Sequence, residues 1–303
     1  MKLILYNSKE SLYRSMRGRW LCWVMTDIRT AFRWTTGIRM INSKEPLMVD
    51  LTLLTTEQRN PESTDLDKMS AIEIAKLMNS EDFNAVAAVH EVLPQVAEAI
   101  ELASERLREG GRIIYIGAGT SGRLGVLDAS ECPPTFGVSP DIVVGIIAGG
   151  DEALCRAVEG AEDSTSLCEE DLKGIGLNSK DLVIGLSASG RTPYVIYGLR
   201  YAGSIGCSTV AIACNKDSLV GKEADVAIEP VTGPEVLTGS TRLKAGTAQK
   251  IILNMISTGS MAMTGRVYQN LMIEVEPLNE KLKARAEGIV QIVNQGGKSD
   301  NEC

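Results

Sequence analysis

Five short apolar runs set the frame of this chain: Arg112–Ile116, Ile142–Ile147, Leu182–Leu186, Thr209–Ala213 and Val226–Ile228. Each is continuous rather than alternating, the pattern of strands buried on both faces. Helix-like stretches lie between most of them, at Arg123–Ala129, Glu152–Gly160, Tyr194–Ser204 and Ser218–Glu223. That alternation predicts an α/β fold, a doubly wound five-stranded parallel sheet with right-handed crossovers and flanking helices. Before the sheet, Ser70-Ala71-Ile72-Glu73 reads as a capping box opening a helix through Met78. Asn60-Pro61-Glu62-Ser63 reads as a turn. A longer helix is predicted from Ala85 to Glu109, stopped by Gly110-Gly111. After the sheet, a helix from Leu243 to Thr264 is introduced by Thr238-Gly239-Ser240-Thr241 as its cap, and a last one spans Leu278 to Val293.

Two strand ends carry the chemistry. Gly117-Ala118-Gly119-Thr120-Ser121-Gly122-Arg123 follows the first strand, and Ser187-Ala188-Ser189-Gly190-Arg191-Thr192-Pro193 follows the third. Small, hydroxyl-rich residues between a strand and a helix start make an anion site, because glycine lets the backbone approach and the helix dipole favours negative charge. Two such loops in one open sheet point to a single phosphorylated ligand at the strand ends. Ser121, Ser187, Ser189 and Thr192 are the candidate phosphate ligands, and Thr192 is also placed to cap the next helix. Gly117-x-Gly119-x-x-Gly122 matches the dinucleotide fingerprint by letter. The acidic residue that should follow at the end of the next strand is missing, however, since Ile142–Ile147 leads into Gly149-Gly150-Asp151. No Gly-Lys-Ser/Thr follows either loop, which excludes a P-loop.

Charge and composition narrow the partners. The 303 residues carry a formal charge of −8 and no compensating basic stripe, which argues against nucleic acid. No apolar run is long enough for a membrane span. Seven cysteines without a C-x-x-C pair fit reduced thiols in a cytoplasmic setting. The single histidine, His90, lies in a helical pattern, so imidazole-based relays are disfavoured and acid–base work falls to carboxylates. Two stand out. Glu131 follows the first loop and precedes Cys132-Pro133-Pro134, on what reads as a stiff turn. Glu162 lies just past a helix end at Gly160. An exposed glutamate is the ordinary alternative at both positions.

The runs Ile116 to Val138, Ile147 to Gly150, Ala157 to Asp163, Ala188 to Tyr194 and Gly239 to Lys250 closely resemble the motifs of N-acetylmuramic acid 6-phosphate etherases. The likeness extends from about Thr56 to Val290. It implies a sugar-isomerase (SIS) fold, a homodimer in the bacterial cytoplasm, no metal or redox cofactor, and cleavage of a D-lactyl ether by elimination and then addition of water. The two acid/base glutamates of the family fall on Glu131, as proton donor to lactate and activator of water, and on Glu162, as base at carbon 2. Lys244 is placed near the sugar or its phosphate. Rival readings are an aldose–ketose sugar-phosphate isomerase and a non-catalytic sugar-phosphate sensor.

The domain organisation follows. Residues 48–100 form an N-terminal helical segment, 101–266 the SIS domain, and 267–303 a C-terminal helix with a shortened tail. Residues 1–47 differ from the rest, with nine basic and three acidic side chains and all three tryptophans. They read as a leader outside the fold, with Met48 as the natural start.

Overall fold

The fold is that of a computed structural model, which describes residues 54–274 and 280–296; the stretch read as a leader, residues 1–47, lies outside them. Five parallel strands form the sheet: β1 (Ile113–Gly117), β2 (Val143–Ile147), β3 (Leu182–Leu186), β4 (Ser208–Ile212) and β5 (Val226–Ile228). Their order is β2-β1-β3-β4-β5, so the direction of winding reverses at β1. β1 and β3 are buried at every position. This explains why both read as unbroken apolar runs.

Helices cover the two faces unequally. On one face lie α1 (Ala71–His90), α2 (Leu93–Arg108), α3 (Gly119–Phe136) and α7 (Lys244–Met263). Val96, Ala99, Phe136, Ile252 and Ile256 there bury against Ile113, Tyr115, Ile184 and Ile212. The opposite face holds α5 (Leu167–Gly174) and α6 (Pro193–Ser204), whose Leu172, Val195 and Leu199 pack on Ile114, Ile116 and Val183. Each fully buried Leu, Ile or Val contributes about 1.5–3 kcal/mol. A short turn, α4 (Glu152–Cys155), a two-stranded hairpin, β6 (Val267–Tyr268) with β7 (Leu271–Met272), and α8 (Glu280–Gly296) complete the described chain.

Several boundaries differ from the sequence reading. The capping box at Ser70 and Glu73 forms, but its helix runs on to His90. The break comes instead at Glu91-Val92, because Pro94 at the second position of α2 cannot donate to an earlier turn. α3 continues through Pro133 and Pro134 and ends on Gly137, which adopts φ +64° and donates its N–H to the Pro133 carbonyl. Glu131 therefore sits on a helix and not on a turn. Two prolines in the last helical turn cost only bonds near a frayed end. The stretch at Ser218–Glu223 shrinks to a 3-10 turn, Gly221–Glu223, and α5 and the hairpin carried no strong periodic signal.

α3 is seated against the sheet by glycine. A methyl group on Gly122 would stand 2.7 Å from both the Gly117 carbonyl oxygen and Ile147 Cγ1. The first of these is backbone and cannot swing away. Gly122→Ala should therefore destabilise the chain by about 1–3 kcal/mol. The corresponding fall in Tm is about 2–4 °C per kcal/mol, readable by differential scanning fluorimetry.

Candidate functional site

β1 and β3 are neighbours in register, with Ile113 opposite Leu182 and Gly117 opposite Leu186. Both strands point the same way, so the two hydroxyl loops emerge side by side at the carboxyl end of the sheet. This is the switch point of the winding, the crevice where open α/β sheets bind ligands. In the first loop Gly119 takes φ +54° and opens α3, whose first N–H groups lack acceptors within the helix. Ser121 is buried and donates its hydroxyl to Gln249 Oε1 at 2.9 Å.

The second loop is built around Ser187. Its Oγ accepts the N–H of Gly190 at 3.0 Å and of Thr192 at 3.4 Å, and lies 2.9 Å from Thr192 Oγ1. Ser189 Oγ accepts the Arg191 N–H at 3.3 Å. Ser187 is buried and holds the loop from within, whereas Ser189 and Thr192 are half-buried on its outer side. Gly190 has φ +73°, and a side chain there would meet Ser218 Cβ at 2.4 Å. Thr192 is the N-cap residue of α6, but its hydroxyl turns to Ser187 and makes no cap bond.

The two carboxylates are placed differently. The Glu162 carbonyl accepts the Tyr194 N–H at 3.0 Å, which ties this exposed residue to the first turn of α6, beside Thr192. Glu131 is exposed on α3, ten residues beyond Ser121. At 1.5 Å per residue that is about 15 Å along the helix. Within one copy of the chain, the Glu162 backbone thus lies beside the second hydroxyl loop, and Glu131 stands further along α3 from the first.

Lys244 is buried, and its ammonium pairs with Glu81 of α1. The backbone N–H groups of Lys244 and Ala245 both donate to the Glu235 carboxylate at 3.0 Å. Glu235 therefore satisfies the first two N–H groups of α7, and the Thr241 carbonyl of the predicted cap run accepts the next, from Gly246, at 3.0 Å. Burial pushes the Glu235 carboxyl above its ordinary range, and the two N–H donors and Lys244 oppose that shift. Further down α3, Asp128 accepts the Tyr115 hydroxyl at 3.0 Å, and the Lys250 ammonium stands 3.5 Å away. Burial lifts the Tyr115 phenol well above its usual value, helped by the Asp128 charge. The Cys132 thiol is pushed up to about 12, chiefly by burial.

Two further contributors escape a reading of the sequence. Asn215 Nδ2 donates to the carbonyls of Ala188 and Ser189 at 3.3 Å, while its Oδ1 accepts the Thr55 N–H and hydroxyl at 2.8 Å. Gln249 is the other. Gln249 reaches Ser121 across 128 residues and Asn215 reaches Thr55 across 160, and only the presence of Gln249 in the Gly239–Lys250 motif hints at either.

These loops, on this sheet order, define a sugar-phosphate-binding domain of the SIS class. The SIS domain profile matches residues 175–258, and that of the glucokinase regulatory protein N-terminal SIS domain matches 95–203. A solved structure from Bacteroides fragilis, assigned as a phosphosugar isomerase involved in capsule formation, shares the fold. It aligns at TM-score 0.50 and 21% identity, over 66% of this chain and 98% of that one. Two curated relatives are much nearer, both named N-acetylmuramic acid 6-phosphate etherase. The one from Clostridium beijerinckii is 60% identical over 80% of this chain and 80% of its own, and the one from Brucella anthropi 56% identical over 82% and 81%. The chain belongs to the N-acetylmuramic acid 6-phosphate etherase family.

Asn215→Ala would remove the partner of the Thr55 N–H and of the Ser189 carbonyl, while the Ala188 carbonyl keeps the Cys214 N–H. Stability should drop by about 1–3 kcal/mol. Limited proteolysis should cut ahead of Asn60 at lower protease concentrations than in the unmodified protein.

Proposed function

We propose that this chain cleaves the D-lactyl ether of N-acetylmuramic acid 6-phosphate, yielding N-acetylglucosamine 6-phosphate and D-lactate. The observation that carries the reading is the pair of hydroxyl loops lying together at the β1–β3 switch point, with Glu162 fastened beside them. Ser121, Ser189 and Thr192 donate to the phosphate, the helix starts of α3 and α6 add N–H groups, and Ser187 keeps the second loop in shape. Lys244 serves indirectly, by holding α1 to the start of α7 through Glu81.

The chemistry follows from carbon 2. In the open-chain sugar its proton is acidified by the neighbouring aldehyde, and Glu162 removes it. The electron pair forms the carbon 2–carbon 3 double bond as the carbon 3–oxygen bond breaks, and a protonated Glu131 gives its proton to the departing lactate oxygen. The resulting carboxylate of Glu131 then takes a proton from water as that water adds to carbon 3, and carbon 2 is reprotonated. Each positioned proton transfer contributes about 10²–10⁴-fold.

Glu131 lies about 15 Å along α3 from Ser121 and about a quarter turn round its axis, exposed where Ser121 is buried. We therefore assign the acid to Glu131 of a second copy in a two-fold homodimer. Leu127, one turn before Glu131 on the same side of α3, is 44% exposed, and Phe83 on α1 is 69% exposed. These are apolar side chains that a partner copy would cover. The cysteines among the described residues are all free thiols, which supports a reducing compartment and a role in cytoplasmic cell-wall recycling.

Purified protein should release D-lactate from the substrate, and in deuterated water the product should carry deuterium at carbon 2. An isomerase releases no lactate, and direct displacement leaves carbon 2 unlabelled. Glu131→Gln and Glu162→Gln should each lower kcat by at least about 10²-fold. Mixing the two inactive variants under subunit exchange should restore about a quarter of wild-type activity, because each mixed dimer regains one complete site. No recovery would mean that both carboxylates act within one copy.

A further inference from the structure

We infer that Gln249 is a positioning residue that turns the hydroxyl proton of Ser121 toward the phosphate of the ligand; this rests on the reading of Ser121 as a phosphate ligand. Gln249 is fully buried on α7, and its Oε1 takes the only proton that Ser121 Oγ has to give. Its Nε2 is likewise buried and has no hydrogen-bond partner among the described residues. In this arrangement Ser121 faces an incoming anion with lone pairs alone, which repel it.

Rotation of the carboxamide by half a turn about its last bond reverses the polarity of the contact. The shape is unchanged, since that torsion is broad and close to two-fold. Nε2 then donates to Ser121 Oγ, and the hydroxyl proton is released for a phosphate oxygen. The buried donor gains a partner, and the orphan becomes a carbonyl oxygen, which interiors tolerate more readily than an orphan N–H. Phosphate binding and the relief of an unsatisfied donor become one event. A carboxamide both accepts and donates at this position, whereas an ionised glutamate of the same shape only accepts and a methionine donates nothing. α7 stands close enough for this control, because the bare Cα of Gly246, one turn earlier, faces Thr120 of the loop.

The test is a double-mutant cycle in the full chain, with KM, kcat and competitive inhibition by inorganic phosphate measured for Ser121→Ala, Gln249→Glu, Gln249→Met and the combined variants. Gln249→Glu and Gln249→Met should each raise KM and weaken inorganic phosphate by roughly tenfold. The expected change in kcat is under about threefold, because the proton transfers do not pass through this contact. In the Ser121→Ala background the same changes should add nothing further. Additive effects, or Gln249 variants with unaltered KM and phosphate inhibition, overturn the inference while leaving Ser121 as a ligand. Ser121→Ala with wild-type KM would instead defeat the phosphate reading itself. A measurement on the unmodified protein covers the case of variants that fold poorly. Gln249 is buried, whereas Gln58, Gln95, Gln269 and Gln291 are exposed. Its side-chain amide protons should shift and exchange more slowly in NMR spectra on addition of inorganic phosphate, and an unmoved signal counts against the proposal.

Discussion

Parallel pairing of β1 with β3 governs the rest of this molecule. Because Gly117 stands opposite Leu186, two loops separated by about seventy residues of sequence leave the sheet at the same level and side by side. Neither would make much of an anion site alone. Together they bring hydroxyls and the starts of α3 and α6, with their positive dipole ends, to the same end of the sheet. The chain as a whole is acidic, so the attraction has to be local. Burial of both strands on both faces keeps their ends fixed, and the close seating of α3 on Gly117 holds its first turn in place.

Around this centre the polar interior acts as a set of ties. Lys244 and Glu81 join α7 to α1, Glu235 closes the start of α7, and Asn215 fastens the 54–60 segment to the second loop. A buried ion pair adds little net stability compared with an apolar pair, because both charges lose their hydration. Its contribution here is geometrical: it fixes which turn of α1 faces which turn of α7. The same holds for Asp128, where Tyr115 of β1, Ser257 and Lys250 of α7 meet on α3.

What the sequence made legible was local. Runs such as Leu182–Leu186 announce a buried strand through uninterrupted apolar character, and Ser70 with Glu73 announces a helix start, because those signals lie within a few residues. The hydroxyls of the two loops were visible for the same reason. The split between α1 and α2 was misplaced because helical periodicity continues across Val92, and Pro94 acts at the second position of a new helix and not at the end of an old one. Glu131 reads as lying on a turn because prolines such as Pro133 and Pro134 usually interrupt helices, yet these fall where α3 is already ending. Asn215, Gln249 and Glu235 could not be found locally, since each satisfies a backbone or hydroxyl group that only the finished fold brings near. The placement of Lys244 depends equally on tertiary contact, as nothing near it in sequence signals Glu81 as its partner.

α3 also acts as a ruler. Ser121 and Glu131 are carried by one uninterrupted helix, so their separation is set by a count of residues and not by packing. One residue inserted between them would swing the carboxylate by about 100° around the axis and carry it about 1.5 Å further along. The hydroxyl loop and the distant carboxylate form a single rigid part, and any assembly that uses both ends must be built to that gauge.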